Sequence, residues 1–269
     1  MNSIIKELIE GLRQVKLSPY GILDASNQVY TLGTDSKILG RIFEMYTQPI
    51  IKAIADKHNL ILKTPEAQTR YPDFILMESD ESNNKIAIDI KSTYLKSDKS
   101  SIQFTLGSHT SYMQNNTKNI EYKYTDYSKH YVIGFIYKRN GKSQESQIFN
   151  YKSRKLIELP FSDIKFFVQE KYKIAGLNYA SGNTKNIGSL KTKNFSDFEN
   201  GNGPFSSLGN DVFELYWKYL KDKEDEKRYD FSLTAFINWF LEQKKEDVPL
   251  LHEYNFEKTR QQLKDYLEQ

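Results

Sequence analysis

The 269-residue chain contains no cysteine. That excludes a disulfide scaffold, thiolate zinc sites and a cysteine nucleophile, and it fits a reducing compartment. Histidine is scarce, and His58, His109, His130 and His252 show no metal-ligand spacing, which argues against zinc. No apolar run approaches the roughly 20 residues a membrane helix needs. Lys6, Glu7 and Glu10 interrupt the apolar pattern at the N-terminus, unlike a signal peptide. These absences predict a cytoplasmic protein with no membrane segment. Aromatic residues are plentiful by contrast, at 14% with 19 Tyr and 16 Phe, so the bulk of the chain is expected to fold.

Net charge is only +3, but its placement is uneven. Residues 91–193 hold 18 Lys+Arg against 7 Asp+Glu, a net +11, and the remainder holds 20 against 28, a net -8. A basic middle in a near-neutral chain points to a polyanionic partner held on one surface. A solvated lysine-rich surface would give the same count.

Ile4, Ile5, Leu8, Ile9, Leu12 and Val15 follow the 3.6-residue period and predict a helix over 2–15. Turn signals predict a small hairpin over 18–34. A second helix is expected over about 36–58, with Ile38, Leu39, Ile42, Phe43, Tyr46, Ile50 and Ile54 as its stripe and a bend at Pro49. Strand patterns follow at 60–63, 73–78, 85–94 and 130–137, with weaker ones near 147–151 and 164–169. The Gly-, Ser- and Asn-rich stretch 178–210 reads as an extended loop region. Helices return at about 211–225, 232–244 and 255–268, with Lys221–Arg228 as a solvated helix end. The expected fold is α/β: one domain over 1–269, with a mixed β-sheet core flanked by helices and a helical tail over 211–269.

The most informative stretch is Lys85-Ile-Ala-Ile-Asp-Ile-Lys91. Alternate side chains of a strand share a face, so Ile86, Ile88 and Ile90 point into a core and Ala87, Asp89 and Lys91 point to a polar face. Taken alone, Asp-x-Lys reads as a surface ion pair. The preceding strand opens with Tyr71-Pro72-Asp73, and the polar turn at 80–84 folds it back, which brings Asp73 near Asp89. Two close carboxylates repel, and a hard divalent cation relieves that repulsion. Mg²⁺ prefers one or two carboxylates together with waters and phosphate oxygens. Lys91 beside them can orient or help deprotonate a water and stabilise charge on a phosphate.

Pro-Asp, fifteen residues, then Asp-x-Lys resembles the signature of the PD-(D/E)xK phosphodiesterase superfamily. Within it, residues 1–205 resemble the EcoRV-like type II restriction endonucleases. Ile42-Phe-Glu44, Tyr71-Pro-Asp-Phe74, Lys85–Lys91, Phe104-Thr-Leu-Gly107, Asn115–Ile120 and Ser181–Ser189 carry the resemblance. It implies a homodimeric, Mg²⁺-dependent endonuclease of double-stranded DNA, with GATATC as its site, cut centrally to blunt ends. Asp73 and Asp89 would bind metal, Lys91 would be the catalytic lysine, and the carbonyl of Ile90 would be a further ligand. Glu44 matches an auxiliary acid; from its helix position alone it reads as a solvated glutamate.

Ser181, Gly182, Asn183, Thr184, Lys185 and Asn186 read in isolation as a turn. The resemblance makes them, with Ala180, the base-recognition loop. Asn can bond adenine bidentately, and a Thr methyl packs on thymine. Ala180 stands where the family has glycine, and Lys185 where it has threonine. Ala67-Gln68-Thr69-Arg70 matches the family's minor-groove loop, with departures at Thr69 and Arg70; Gln68 and Thr69 would face DNA. Lys37, Tyr94, Thr105, Ser111 and Lys118 are candidate phosphate contacts. The family would dimerise through 18–34 and about 150–160. A repair or junction nuclease is the rival enzyme reading. A DNA-binding protein without catalysis is the other rival, and the intact Asp73, Asp89 and Lys91 argue against it.

Overall fold

The computed structural model describes residues 3–97, 99–180, 185–220 and 232–269. Ile4, Ile5, Leu8 and Leu12 form the buried stripe of α1 (Ser3–Gln14). Strands β1 (Ile22–Leu23) and β2 (Gln28–Leu32) make the expected hairpin. Asp24 Oδ1 holds its turn by accepting from the amides of Ser26 and Gln28. Helix α2 (Ser36–Lys57) starts at Asp35, whose Oδ1 accepts from the amides of Lys37 and Ile38, and it continues through Pro49. Its buried side is Leu39, Phe43, Thr47, Ile51, Ile54 and Ala55. Ile38, Ile42, Tyr46 and Ile50 of the expected stripe are only half-buried, because they line an open groove against the first hairpin.

The main sheet runs β3–β4–β5–β7–β9. It comprises β3 (Ile61–Lys63), β4 (Phe74–Met77), β5 (Lys85–Leu95), β7 (Tyr127–Arg139) and β9 (Phe161–Glu170). Only β5 and β7 pair in parallel, so the sheet is mixed. The connection between those two carries β6 (Thr105–Ser108). Strand β8 (Glu145–Asn150) leaves the main sheet and pairs with β2, adding a third strand to the hairpin.

Each face of the main sheet has its own core. Phe74, Leu76, Ile88, Ile90, Ile133 and Phe135 meet α1 and α2 on one side. Ile75, Met77, Ala87, Val132 and Ile136 meet the C-terminal half on the other. The alternation along β5 is therefore as expected, but the face of Ala87 and Asp89 is not a solvated polar face; a second core covers it.

The stretch 178–210 is not an extended loop. After the turn α3 (Lys171–Ile174), strands β10 (Ala175–Tyr179) and β11 (Asn186–Ser189) form a hairpin that joins β6 in a small sheet. Helix α4 (Ser196–Asn200) follows. These strands escape periodicity because glycine replaces apolar side chains where backbones meet. A Cβ on Gly176 would lie 2.6 Å from Ser189 O, and one on Gly188 would lie 2.5 Å from Asn178 O. Helices α5 (Gly209–Tyr219), α6 (Leu233–Leu241) and α7 (Phe256–Leu267) close the second core with Phe213, Trp217, Phe236, Phe240 and Leu263. Residues 221–231, including the charge run at Lys221–Arg228, lie outside the described residues. Among the described residues no helix is long and apolar enough to cross a membrane.

Candidate active site

Strands β4 and β5 pair antiparallel, with Phe74 opposite Ile88 and Leu76 opposite Ile86. Carried one residue outward, that register sets Asp73 opposite Asp89. Asp73 Oδ2 accepts a 2.6 Å hydrogen bond from the amide of Ile90, which ties the carboxylate to the neighbouring strand. Asp89 is 2% exposed. Its Oδ2 lies 2.7 Å from Lys91 Nζ, an ion-pair distance without hydrogen-bond alignment, and accepts no other hydrogen bond from the described residues. Lys91 Nζ also donates to its neighbour's carbonyl, Ile90 O, at 3.3 Å.

The electrostatics follow from this crowding. Burial first, and the charge of Asp89 second, push the Asp73 pKa up to about 7, against the pull of Lys91 and the Ile90 amide. Burial works against the Lys91 ammonium, but Asp89, Asp73 and Glu44 outweigh it and hold its pKa above the ordinary lysine value. Glu44 lies on α2, partly exposed, paired with Arg41 at 2.5 Å. Its charge nevertheless reaches both Asp73 and Lys91. The sequence-predicted Asp73, Asp89, Ile90, Lys91 and Glu44 are thus brought into one neighbourhood.

The donor set fits a hard cation. It offers two facing carboxylates that repel each other, one buried oxygen short of a partner, and a carbonyl at Ile90. Among the described residues no group of three or more His, Asp or Glu side chains has metal-binding spacing. Mg²⁺ does not require one, since it draws most of its ligands from water and phosphate.

A protein-family model described as restriction endonuclease EcoRV matches residues 16–242. The type II restriction enzyme EcoRV of Escherichia coli is 39% identical over 248 residues, covering 90% of this chain and 100% of that enzyme. This chain belongs to the EcoRV restriction endonuclease family. Among solved structures, NlaIV restriction endonuclease aligns over 97% of this chain and 94% of its own at 10% identity, with a TM-score of 0.34. Helix α7 lies past the family match.

The candidate DNA contacts fall into two groups. The first surrounds the β10–β11 hairpin. Ser181, Gly182, Asn183 and Thr184 lie outside the described residues; in the sequence, β10 precedes them and β11 follows. The amide of Ala180, itself 7% exposed, donates to Asn186 O at 2.9 Å. Lys185 O accepts from the amide of His109, and Thr105 pairs with Gly188. Lys118 is exposed, with Nζ donating to Thr110 O at 3.1 Å. Ser111 is buried, and its Oγ accepts from Asn119. Gln68 and Thr69 are exposed, and their loop is pinned beside this group: Arg70 pairs with the buried Glu121 at 3.0 Å, and Tyr71 bonds Asn119 and Glu121 through its backbone. The second group lies at the far end of β5. Tyr94 is half-buried with the Arg139 guanidinium 3.6 Å from its ring centroid, and Lys37 is exposed in the first turn of α2. Arg139 and Glu121 carry no sequence signal, because each finds its partner only through tertiary packing.

Proposed function

We propose that this chain is a Mg²⁺-dependent type II restriction endonuclease, acting in the cytoplasm as a homodimer on double-stranded DNA at GATATC and leaving blunt ends. The observation that carries it is the convergence of Asp73, Asp89 and Lys91 on facing strands of a chain from the EcoRV family. Asp73, Asp89 and the Ile90 carbonyl would hold the cation, with Glu44 as an auxiliary acid. A bound Mg²⁺ would supply a Lewis acid and an activated water. Lys91, kept as an ammonium by its three acidic neighbours, is suited to stabilise charge on the phosphate and to orient the attacking water. The β10–β11 hairpin would read bases in the major groove through 180–186, Gln68 and Thr69 would face the minor groove, and Lys37, Tyr94, Thr105, Ser111 and Lys118 would bind phosphates.

An apolar row on the three-stranded sheet supports the dimer. Ile22 lies opposite Tyr30, and Tyr30 opposite Ile148, so all three share a face. They are 66%, 38% and 58% exposed, and Leu156 nearby is 74% exposed. Contiguous exposed apolar surface marks an interaction site, and a two-fold dimer matches a palindrome. The test is digestion of a plasmid of known sequence with Mg²⁺, followed by mapping of the ends. Blunt ends at every GATATC are expected. Staggered ends, another site, or cuts at branched structures alone would overturn the reading.

A further inference from the structure

Lys171 is 2% exposed and sits among aromatic rings. Its Nζ donates to Tyr112 Oη at 2.8 Å and lies 4.6 Å from the ring centroid of Tyr71 and 4.8 Å from that of Tyr112. Those two rings stack at 4.6 Å, and Tyr71 Oη hydrogen-bonds His130 Nδ1 on β7 at 2.8 Å. Gly107, with φ at +109°, closes the β6 backbone over this cluster, where a Cβ would lie 2.0 Å from Tyr112 Oη and 3.5 Å from Lys171 Nζ. Among the described residues no carboxylate pairs directly with this ammonium.

Its position in the chain gives the cluster meaning. Lys171 opens α3, the turn from which β10 and the hairpin issue. Tyr71 lies two residues before Asp73. The ammonium therefore bridges the root of the hairpin to the root of the catalytic strand. Electrostatically it shares the active-site interior: burial lowers its pKa to about 7, Asp89 is the foremost charge keeping it ionised, and Lys91 is the foremost charge opposing it. An unbranched apolar side chain would fill the same space without the desolvation penalty, so packing alone does not call for a lysine. The Lys171 nitrogen is directional where a methyl is not, because it hydrogen-bonds the Tyr112 oxygen and lies over the faces of two rings.

We propose that Lys171 is a positioning residue that couples the base-reading hairpin to Asp73. The inference rests on the nuclease reading above. Engagement of bases by the hairpin seats α3, the ammonium holds Tyr71 and Tyr112 in register, and Tyr71 sets Asp73 against Asp89. Coupling of this kind needs a contiguous packed path, and α3–Lys171–Tyr71–Asp73 provides one: Lys171 packs on the Tyr71 ring, and Tyr71 is two residues from Asp73.

The test compares the parent with Lys171→Met, Tyr112→Phe and the double variant. Single-turnover cleavage with Mg²⁺ is measured on a GATATC duplex and on a single-base variant of it, alongside binding to random duplex in EDTA. Both single variants should cut the cognate duplex about tenfold or more slowly, within the range coupled sites show. They should lose less on the variant duplex, so selectivity narrows, and random-duplex binding should hold. The double variant should be no slower than the slower single, since both remove one contact. Parental rate and selectivity in Lys171→Met overturn the proposal, and so does an equal loss on both duplexes, which marks a merely structural role. If Lys171→Met does not fold, Tyr112→Phe decides by the same criteria, since it removes only a hydroxyl. A parent that cuts neither duplex refutes the nuclease reading and takes the proposal with it, whereas a parent that cuts while the variants match it refutes the proposal alone.

Discussion

At the residue scale the facing pair Asp73 and Asp89 sets two carboxylates against each other, and the cost has a sign. Asp73 moves from an ordinary 3.8 to about 7, through burial first and the Asp89 charge second. A carboxyl whose pKa is raised on folding favours the protonated form. Its destabilising contribution is therefore absent below 3.8, grows as pH rises, and is complete above about 7. In chelator, Asp89→Ala should lower the Asp73 pKa and flatten that loss, so the variant's melting temperature should fall less than the parent's as pH rises from 3.8 to about 7. It should also abolish Mg²⁺-dependent cleavage. Melting curves against pH with EDTA, and a cleavage assay, check both halves. A variant that keeps near-parental cleavage would remove Asp89 from the metal site. The pairing was legible in the sequence because hairpin register is arithmetic: a polar turn at 80–84 and fifteen intervening residues suffice to set 73 against 89. The reach of Glu44 to Asp73, the Arg70–Glu121 pair and the burial of Lys171 were not legible, because packing between distant elements creates them and leaves no period in the chain.

At the element scale the contrast lies between β5 and the β10–β11 hairpin. Strand β5 was readable because isoleucine marks every second position. The hairpin was not, because Gly176 and Gly188 occupy the places where backbones touch. That cause is testable. A methyl at Gly188 would meet Asn178 O at 2.5 Å and Ala180 N at 2.9 Å, both backbone atoms that yield only if the hairpin spreads. Gly188→Ala should cost about 1–3 kcal/mol by overpacking, and it should slow cognate cleavage while binding to random DNA persists. Retained thermal stability and parental cleavage in Gly188→Ala would show that the hairpin tolerates spreading. Substitutions at Asn183 and at Lys118 separate two kinds of contact. Loss of a bidentate base contact at Asn183→Ala should cost about 1–3 kcal/mol of discrimination. Lys118→Ala should weaken binding to all sequences alike and make the salt slope shallower by about 1. Cleavage of the cognate duplex and its single-base variants, with salt titrations of binding, distinguishes them. Asn183→Ala with unchanged selectivity would move base reading elsewhere.

At the scale of the whole molecule, one active site cuts one strand, so a duplex cut needs two sites in fixed relation. The row Ile22–Tyr30–Ile148 crosses all three strands of the small sheet, on one face. Strand β8 is an edge of that sheet, and the exposed Leu156 ends the short helical turn (Tyr151–Leu156) that follows it. An isologous contact requires a patch that complements itself under a two-fold axis, and an apolar row meets that demand without charge matching. The parent should therefore scatter light as a dimer at twice the chain mass. Ile148→Asp combined with Leu156→Asp should shift it to monomer, because two carboxylates on each copy would be buried unpaired against their symmetry mates. Both side chains are exposed, at 58% and 74%, so the monomer should keep the parental fold and a similar melting temperature. It should also stop making double-strand breaks, though Asp73, Asp89 and Lys91 are untouched. Nicked circles in place of linear plasmid would trace that loss to assembly rather than chemistry. A parent that stays monomeric with and without GATATC duplex, or a double variant that remains dimeric, would place the interface on another surface.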